Sequence, residues 1–452
     1  MMKKPKKLIY VCQSCGYQTP KWLGRCPDCG QWNTIVEEAQ DTPTRTYVHA
    51  IMGQPQPINA ISLDPEIRVK TGITEFDRTL GGGLVPGSLV LIGGDPGIGK
   101  STLVLQVAGK LSQGGLKALY LSGEESPQQI KIRSERLSLH SDNLYILSGT
   151  CIEELFNKFE ALNPNLLVVD SIQTVYTDAL PSAPGSVGQV REVTTRLLNW
   201  TKMSNVPTFL IGHVTKEGAI AGPKVLEHLV DTVLYIEGEG NHAFRILRSV
   251  KNRYGSTNEI GVFEMKDAGL EEVSNPSRLF LEERPENTSG SVVIPCLEGT
   301  RPVLVEIQAL VGPSPFGMPR RTAIGVDHNR ISLLVAVLGK RMGIEMGDQD
   351  IFVNVAGGLR VNEPGADLGI ISAMVSSFLD KPVDRNMVLF GEVGLAGEIR
   401  GVSQPELRIR EAQKLGFTRC VLSGSNVESC KKFKGMELVG MDSIRGLVDV
   451  LF

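Results

Sequence analysis

The feature that most constrains this chain is the run Gly-Asp-Pro-Gly-Ile-Gly-Lys-Ser, which satisfies the pattern GxxxxGK[ST]. An apolar segment that ends in glycine, residues 88–93, precedes it, and a segment with helical character, residues 103–108, follows it. A strand, a glycine-rich turn and a helix N-terminus are the context in which this pattern binds phosphates. The run therefore predicts a nucleotide-binding loop, whose candidate contacts, with the next threonine, are Gly94, Asp95, Pro96, Gly97, Ile98, Gly99, Lys100, Ser101 and Thr102.

Each part of the loop has a chemical role. The glycines let consecutive backbone N–H groups turn towards phosphate oxygens, and the helix dipole adds positive potential at the same place. We expect Lys100 to reach the β- and γ-phosphates, which also makes it a candidate catalytic residue, and we expect the Ser101 hydroxyl to ligate Mg²⁺. The expected cofactors of this loop are ATP and Mg²⁺.

Two later segments bring carboxylates to the ends of predicted strands. Residues 117–122 form an apolar strand that is followed by Glu124 and Glu125, and residues 166–169 are four aliphatic residues closed by Asp170. In this context we expect Asp170 to hold Mg²⁺ through water. A glutamate at a neighbouring strand end is placed to orient and deprotonate the attacking water, and both glutamates are candidates. The alternative role for the two glutamates is to cap a helix N-terminus.

Four cysteines near the N-terminus have the spacing of a structural zinc site. They form two C-x-x-C pairs separated by ten residues, and each pair is followed by a glycine that permits a tight turn. A redox role is disfavoured because no βαβ pattern surrounds the pairs. We expect Trp22 and Trp32 to pack beside this knuckle rather than to stack on bases. The predicted zinc ligands are Cys12, Cys15, Cys26 and Cys29.

Composition and charge narrow the class of protein. The 452 residues should form two or three domains, and 41% hydrophobic with 21% charged residues is ordinary for a globular protein. The net charge of −3 excludes a global basic field, so any nucleic-acid binding must be local. Neither a signal-peptide core nor a stretch long enough to cross a membrane is present, so we expect a cytoplasmic protein with no membrane partner.

Two segments after the aspartate are candidate loops for a macromolecular substrate. Residues 177–185 are rich in small residues and proline, which predicts a mobile loop. In residues 213–224 we expect Lys216 and Lys224 to contact a nucleic-acid backbone, with a solvated surface loop as the alternative. His213 is a candidate sensor of the γ-phosphate, and hydrogen-bonded packing is the alternative.

Lys251 and Arg253 lie one residue apart on a segment predicted to be extended. Because side chains alternate between the faces of a strand, these two cations point the same way and are both candidate catalytic residues. In an oligomer the phosphate that they meet belongs to the neighbouring subunit, as with an arginine finger.

Together these features resemble the RadA (Sms) family of bacterial DNA repair proteins over essentially the whole chain. The family usually has phenylalanine where this chain has Tyr254. The resemblance implies an α/β fold: a RecA-like P-loop ATPase core with a mostly parallel sheet, a small N-terminal four-cysteine zinc knuckle and a C-terminal Lon-protease-like α/β domain. The implied domains are a zinc-binding knuckle at 1–36, a linker at 37–66, the ATPase core at 67–273, a second linker at 274–290 and the Lon-protease-like domain at 291–452.

The resemblance also implies a function. It is that of a DNA-dependent ATPase in homologous recombination and repair, a hexameric ring that works with RecA on single-stranded and branched DNA and moves recombination branches. Glu124 carries the water-activating role in this likeness, with Glu125 as a further candidate, and Lys251 and Arg253 fall on the family's signature cations. Two alternatives are an ATP-dependent protease of Lon type and an adaptor that assembles on RecA filaments without hydrolysis.

The Lon-like segment disfavours a protease. Gly365 and Ala366 stand where Lon has its serine, and Glu406 lies near the position of its lysine, so acyl transfer has no nucleophile or base. The domain is instead expected to support ring assembly and to add a DNA surface. Its candidate phosphate contacts are Arg320, Arg321, Arg400, Arg408 and Arg410.

Overall fold

The structure is a computed structural model in which the chain forms two compact units. The first comprises Met1–Gly238 and Arg245–Glu272, and the second comprises Glu239–Phe244 and Val273–Phe452. Within the described part of the chain, no helix has both the length and the apolar composition needed to span a bilayer. The described residues are 7–12, 17–28, 30–40, 57, 68–213, 225–238, 244–257, 259–282, 284–314 and 319–452.

The N-terminal residues form a small antiparallel sheet with the order β2-β1-β3, whose strands are β1 (Lys7–Cys12), β2 (Gln18–Thr19) and β3 (Ile35–Gln40). Two turns of similar shape accompany it. The N–H of Cys12 donates to the carbonyl of Tyr17 at 2.8 Å, and the N–H of Cys26 donates to the carbonyl of Gln31 at 2.9 Å. Both cysteines are buried and pack with Ile35.

A nine-stranded sheet forms the rest of the first unit. Its strands are β4 (Leu89–Gly94), β5 (Ala118–Ser122), β6 (Leu144–Ser148), β7 (Leu166–Asp170), β8 (Thr208–His213), β9 (Thr232–Glu237), β10 (Phe244–Asn252), β11 (Ile260–Lys266) and β12 (Gly269–Glu272). The order is β12-β11-β10-β9-β4-β8-β7-β5-β6, and the six strands from β9 to β6 are parallel. β10 pairs antiparallel with β9. The predicted mostly parallel sheet is confirmed.

Helices cover both faces of this sheet, because side chains alternate along each buried strand. Val90 and Ile92 of β4 pack in the core on one face, and Leu89 and Leu91 pack in the core on the other. The first core contains α1 (Thr74–Thr79), α2 (Lys100–Gln113) and α3 (Pro127–Arg136), and the second contains α4 (Ile152–Leu162) and α5 (Val187–Ser204).

The second unit is built on a seven-stranded mixed sheet with the order β15-β16-β14-β13-β17-β20-β21, and β18 and β19 pair separately. β14 pairs antiparallel with β13 and with β16, and the pairs β13–β17, β15–β16, β17–β20 and β20–β21 are parallel. The strands are β13 (Ser291–Glu298), β14 (Arg301–Pro313), β15 (Arg321–Ile324), β16 (Gln349–Val355), β17 (Met387–Phe390), β18 (Glu392–Val393), β19 (Ile399–Arg400), β20 (Arg419–Ser423) and β21 (Glu437–Met441). The helices are α6 (Pro276–Leu281), α7 (His328–Met342), α8 (Asp367–Leu379), α9 (Pro405–Lys414), α10 (Gly424–Cys430) and α11 (Leu447–Leu451).

The segment 274–290, predicted as a linker, lies in the second unit and contains α6. The buried Ser277 hydroxyl accepts the N–H of Leu304 in β14 at 3.0 Å and donates to Glu411 in α9 at 3.1 Å. These contacts attach the segment to the sheet of its own unit.

Candidate active site

The phosphate-binding loop joins the end of β4 to the start of α2, as its motif predicts. Gly97 has a φ of 75°, which disfavours any residue with a Cβ. A Cβ at Gly94 would lie 2.7 Å from the carbonyl oxygen of Ile236. The N-cap of α2 is Gly99, so no side chain occupies the first-turn N–H groups, which therefore face the loop as anion donors. Asp95 and Pro96 are exposed, Ile98 is buried, and Ser101 and Thr102 are half-buried in the first turn of α2.

Lys100 lies inside this loop and is almost fully buried. Its Nζ donates to the carbonyl oxygen of Gly94 at 2.9 Å and to that of Asp95 at 2.8 Å. Burial lowers the pKa of Lys100, and the negative charges of Asp170, Asp95 and Glu124 oppose that effect. The ammonium group is therefore held against the loop's own carbonyls, where it is close to the expected phosphate positions.

Asp170 ends β7 and is buried. The Tyr120 hydroxyl donates to its Oδ2 at 2.5 Å, and burial together with the charge of Asp170 raises the pKa of Tyr120 well above its ordinary value. The tyrosine therefore stays protonated as a donor. The carboxylate of Asp170 and the hydroxyl of Ser101 are oxygen donors of the kind that suits Mg²⁺, and the bound ion would neutralise phosphate charge.

The two candidate glutamates have different surroundings. Ser171 donates to Oε1 of Glu124 at 2.5 Å, and Nε2 of His213 lies 3.2 Å from the same oxygen. The Glu124 side chain is 43% exposed. Glu125 instead forms an ion pair with Arg133 that leaves both side chains largely covered. The structure therefore distinguishes one carboxylate that is oriented and open to water from one that is bound by a cation.

The alternative role for the glutamates, a helix cap, is wrong. The N-cap of α3 is Ser126, whose hydroxyl accepts the N–H of Gln129 at 3.3 Å. The Gln129 side chain accepts the N–H of Ser126 at 2.8 Å in return, which completes a capping box. No glutamate is needed for this helix end.

Ser171 and Tyr120 are site residues that sequence reasoning missed. Ser171 follows Asp170 directly, and its position just beyond an apolar strand was the signal that could have identified it. The Tyr120 hydroxyl reaches across from the neighbouring strand β5, a contact that only the parallel strand order creates.

Lys251 and Arg253 lie towards the edge of the sheet where β4 and β9 begin, whereas the phosphate-binding loop lies at the opposite edge, where β4 ends. Lys251 pairs with Val233 of β9, which is level with Leu91 of β4. Gly94 lies three residues further along β4, about 10 Å at strand spacing. Arg253 follows the end of β10, and its N–H donates to the carbonyl of Asp231, before β9 begins. Neither cation therefore lies at the phosphate edge of its own chain.

A buried carboxylate holds this cationic block. Asp231 accepts from Lys202 at 2.7 Å, from Arg253 at 3.1 Å and from the N–H of Leu89 at 3.0 Å. Lys202 also donates to the Tyr254 hydroxyl at 3.0 Å. Burial alone would lower the pKa of Lys202, but the hydrogen bonds to Asp231 and Tyr254 raise it. The aromatic residue of the signature block thus has a polar contact that a phenylalanine would lack.

The Lys251 ammonium donates to the carbonyl of Glu227 at 2.7 Å. Burial and then the charge of Arg253 lower the pKa of Lys251. The end of the block packs on the glycine-rich segment before β4, where a Cβ on Gly255 would lie 3.1 Å from the Cα of Gly81.

The candidate DNA loops differ in how much of them is described. Lys216 and Lys224 lie outside the described residues. The loop 177–185, predicted to be mobile, is instead anchored by the buried Gln189. The Gln189 amide nitrogen lies 3.0–3.1 Å from three loop carbonyl oxygens, and its oxygen accepts the N–H of Thr177 at 2.9 Å.

The predicted zinc site is described in part. Cys15 and Cys29 lie outside the described residues, whereas Cys12 and Cys26 are buried, each at the start of a tight turn. Paired thiolates in such turns fit Zn²⁺, which would hold the two turns together. Trp22 and Trp32, expected to pack beside this knuckle, lie against it with exposed fractions of 57% and 69%.

In the second unit, Ala366 is buried in a short helical turn with Gly365, and Glu406 pairs with Lys432 at 2.6 Å. Arg408 does not offer a DNA contact, because it is buried and donates to both carboxylate oxygens of Glu363. That prediction is wrong. The exposed candidates of this set are Arg320, Arg400 and Arg410.

Comparisons with known proteins agree with this geometry. A family model described as a rubredoxin metal binding domain matches residues 10–37, and one described as an AAA domain matches residues 55–219. DNA repair protein RadA from Bacillus subtilis (strain 168) is 53% identical, over 97% of each chain. The chain belongs to the RadA family of DNA repair proteins.

Further RadA relatives extend the match. The protein of Listeria monocytogenes serovar 1/2a is 51% identical over 98% of each chain, and that of Streptococcus pyogenes serotype M1 is 48% identical over 99% of each chain. Among solved structures, a KaiC-like protein from Pyrococcus horikoshii OT3 matches with a TM-score of 0.39 and 22% identity, over 46% of this chain and 100% of that one. A similarity this low does not support any conclusion about function. Family membership itself makes this chain a RecA-like P-loop ATPase of DNA repair with an N-terminal zinc ribbon.

Proposed function

We propose that this chain is a DNA-dependent ATPase that assembles into a ring, probes single-stranded and branched DNA, and promotes branch migration of recombination intermediates together with RecA. The observation that supports it most is the separation of two parts of one catalytic apparatus. The phosphate-binding loop lies at one edge of the central sheet, and Lys251 and Arg253 lie at the other.

Hydrolysis is assigned to the phosphate edge. Lys100 binds the β- and γ-phosphates of ATP, and Ser101 and Asp170 hold Mg²⁺. Glu124 accepts a proton from the attacking water, because Ser171 fixes one of its oxygens and the exposed side chain faces solvent. Glu125 has a structural role, because Arg133 already neutralises it.

The opposite edge acts on a neighbouring chain. Arg253 is level with Leu89, at the start of β4, and the loop begins at Gly94, five residues further along that strand. At a rise of about 3.3 Å per residue, Arg253 lies roughly 16 Å from its own loop. A cation at that distance from its own nucleotide stabilises phosphate charge only if another subunit presents its loop. A closed ring, six-fold in this proposal, satisfies that requirement for every subunit.

The proposed DNA substrate is supported by the relatives' name, DNA repair protein, and by the local positive charge of lysines and arginines. Lys216 and Lys224, with the anchored loop 177–185, are the proposed backbone contacts in the ring channel. The Lon-protease-like domain, proposed to span 291–452, supports assembly and adds the exposed Arg320, Arg400 and Arg410 to the DNA surface. The proposed cofactors are ATP, Mg²⁺ and a Zn²⁺ ion bound by the four cysteines.

The test measures ATP turnover with and without single-stranded DNA, and branch movement on a three-stranded junction in the presence of RecA. The proposal predicts that DNA stimulates turnover and that the branch moves only with hydrolysable ATP. Lys100→Ala is the control that should abolish both. Turnover that is indifferent to DNA, with a static junction, would contradict the proposal.

The adaptor alternative predicts a different result. An adaptor that needs ATP only to assemble keeps its effect on RecA-coated DNA with a non-hydrolysable ATP analogue, whereas a motor loses it. The protease alternative has no support in the described residues, because Ala366 is a buried methyl and Glu406 is paired with Lys432.

A further inference from the structure

The zinc-binding module exposes two tryptophans side by side. The exposed fraction is 57% for Trp22 and 69% for Trp32, among the highest of the large apolar side chains that the structure describes. A Cβ on Gly24 would lie 3.6 Å from the ring of Trp22 and 3.9 Å from that of Trp32, so both indoles border the same glycine. Exposed indoles of this size mark an interaction surface.

The backbone of the module holds the Trp22 ring and sets the face that carries Trp32. Nε1 of Trp22 donates to the carbonyl of Ile35 at 3.1 Å. Trp32 pairs with Arg25 in an antiparallel bridge, which places their side chains on the same face. Cys26, the next residue, is buried on the other face. The aromatic surface therefore lies on the side of the turn opposite the thiol of Cys26.

Cations border the indoles. The Arg25 guanidinium lies 5.8 Å from the centre of the Trp32 ring, and its Nε donates to the carbonyl of Gly30 at 2.9 Å. Lys21, the residue before Trp22, is exposed. Asp28 is an exposed acid on the same turn. Aromatic rings beside cations are the arrangement that binds stacked bases and their phosphates.

We propose that Trp22 and Trp32 form a stacking platform for the bases of single-stranded DNA, with Arg25 and Lys21 contacting the phosphates. The inference rests on the DNA-binding part of the proposed function and assigns to the zinc module a direct DNA contact. The platform accepts any base, because every base has a stacking face, and it discriminates against duplex DNA, whose bases are already stacked.

Tryptophan fluorescence of the full-length zinc-bound protein tests the platform. The chain has three tryptophans, and the third, Trp200, packs against Phe159 with ring centres 4.9 Å apart. In a Trp200→Phe background all of the signal comes from the platform. Saturation with a 20-nucleotide oligothymidylate should quench it by about half, and the duplex of the same length should quench it much less.

Substitutions measure how much each residue contributes to affinity, with binding followed by the anisotropy of a labelled oligothymidylate. Trp22→Ala and Trp32→Ala should each weaken binding about 5- to 150-fold, the range for loss of one stacked aromatic. Trp32→Phe should retain most of the affinity, and Leu395→Ala, which removes an equally exposed side chain elsewhere, should change nothing. Zinc content by elemental analysis confirms that each variant keeps the module folded.

The outcomes separate this inference from the proposed function. If zinc-loaded Trp22→Ala and Trp32→Ala bind the oligonucleotide like the wild type, the platform is wrong, although DNA-stimulated turnover still supports the proposed function. If the indole fluorescence responds to added RecA but not to saturating oligonucleotide, the surface is a protein contact and the inference is also wrong. Wild-type protein that binds no oligonucleotide contradicts both proposals.

Discussion

Glu124 and Glu125 are adjacent in sequence, yet their carboxylates have different partners. Oε1 of Glu124 receives hydrogen bonds from two polar side chains of neighbouring strand ends, whereas Glu125 is bound to Arg133. A general base needs a fixed orientation and access to water. Only the first glutamate has both.

We therefore predict that Glu124→Gln lowers kcat for ATP at least about 100-fold, because the amide cannot accept the proton from water. Nucleotide affinity should stay close to that of the wild type. Glu125→Gln is the matched control and should retain most of the turnover, with a lower melting temperature because Arg133 loses its partner. Steady-state turnover and fluorescent-nucleotide binding check both variants, and the opposite ranking of kcat would contradict the assignment.

Ser171 is a positioning residue for this base, because it acts on the reaction through Glu124. We predict that Ser171→Ala lowers kcat at least about tenfold, since a hydrogen bond to a charged group contributes about 1.5–3 kcal/mol. The KM for ATP should be unchanged, and Ser171→Thr should restore turnover by keeping the hydroxyl. If the threonine variant is as slow as the alanine variant, the serine is needed for packing alone.

At the scale of elements, the zinc module is too small to fold on its hydrophobic core. Only Cys12, Cys26 and Ile35 form its buried apolar cluster in the described residues. We predict that Cys26→Ser releases zinc and unfolds residues 7–40, since metal binding and folding are coupled in modules of this size. Cys151→Ser changes a cysteine outside the module, so this variant should keep the zinc of the module. Elemental analysis and hydrogen exchange decide, and full zinc content in Cys26→Ser would contradict the four-cysteine site.

In the second unit, Arg408 and Glu363 join α9 to the turn before α8. Arg408 also donates to the carbonyl of Pro295 in β13 at 2.6 Å. We predict that Arg408→Ala destabilises this unit by about 3–5 kcal/mol, because it leaves Glu363 without its buried partner. Arg410→Ala, two residues along the same helix, should cost little. The urea dependence of amide exchange in β13 measures both, and equal effects would show that the ion pair is dispensable.

The elements also show how far sequence reasoning reaches. Contiguous patterns predicted β4, the phosphate-binding loop, β7 and Asp170, because their residue types and spacing are local. Sequence alone left Glu124 and Glu125 equivalent, since the hydrogen bonds that distinguish them come from β7 and β8. Arg408 was placed wrongly because average burial preferences put charges outside, and here its long-range pairing with Glu363 reverses that preference.

For the whole molecule, the sheet separates the nucleotide loop from the signature cations. β10 runs antiparallel to β9, so it carries Lys251 and Arg253 away from the edge where β4 ends. Asp231 holds Arg253 and Lys202 at that remote edge. The proposed function follows from this distance, because catalysis by these cations requires a second subunit.

Mixing two inactive variants tests that claim most directly. Lys100→Ala subunits have an intact cationic edge without a working loop, and Arg253→Ala subunits have the reverse. If the cations act on the neighbouring subunit, co-assembly of the two variants should restore ATP turnover at interfaces that join an intact loop to an intact Arg253. Mass spectrometry should show that the oligomers are mixed. If turnover in such mixed oligomers never exceeds the sum of the separate variants, catalysis across the subunit interface is contradicted.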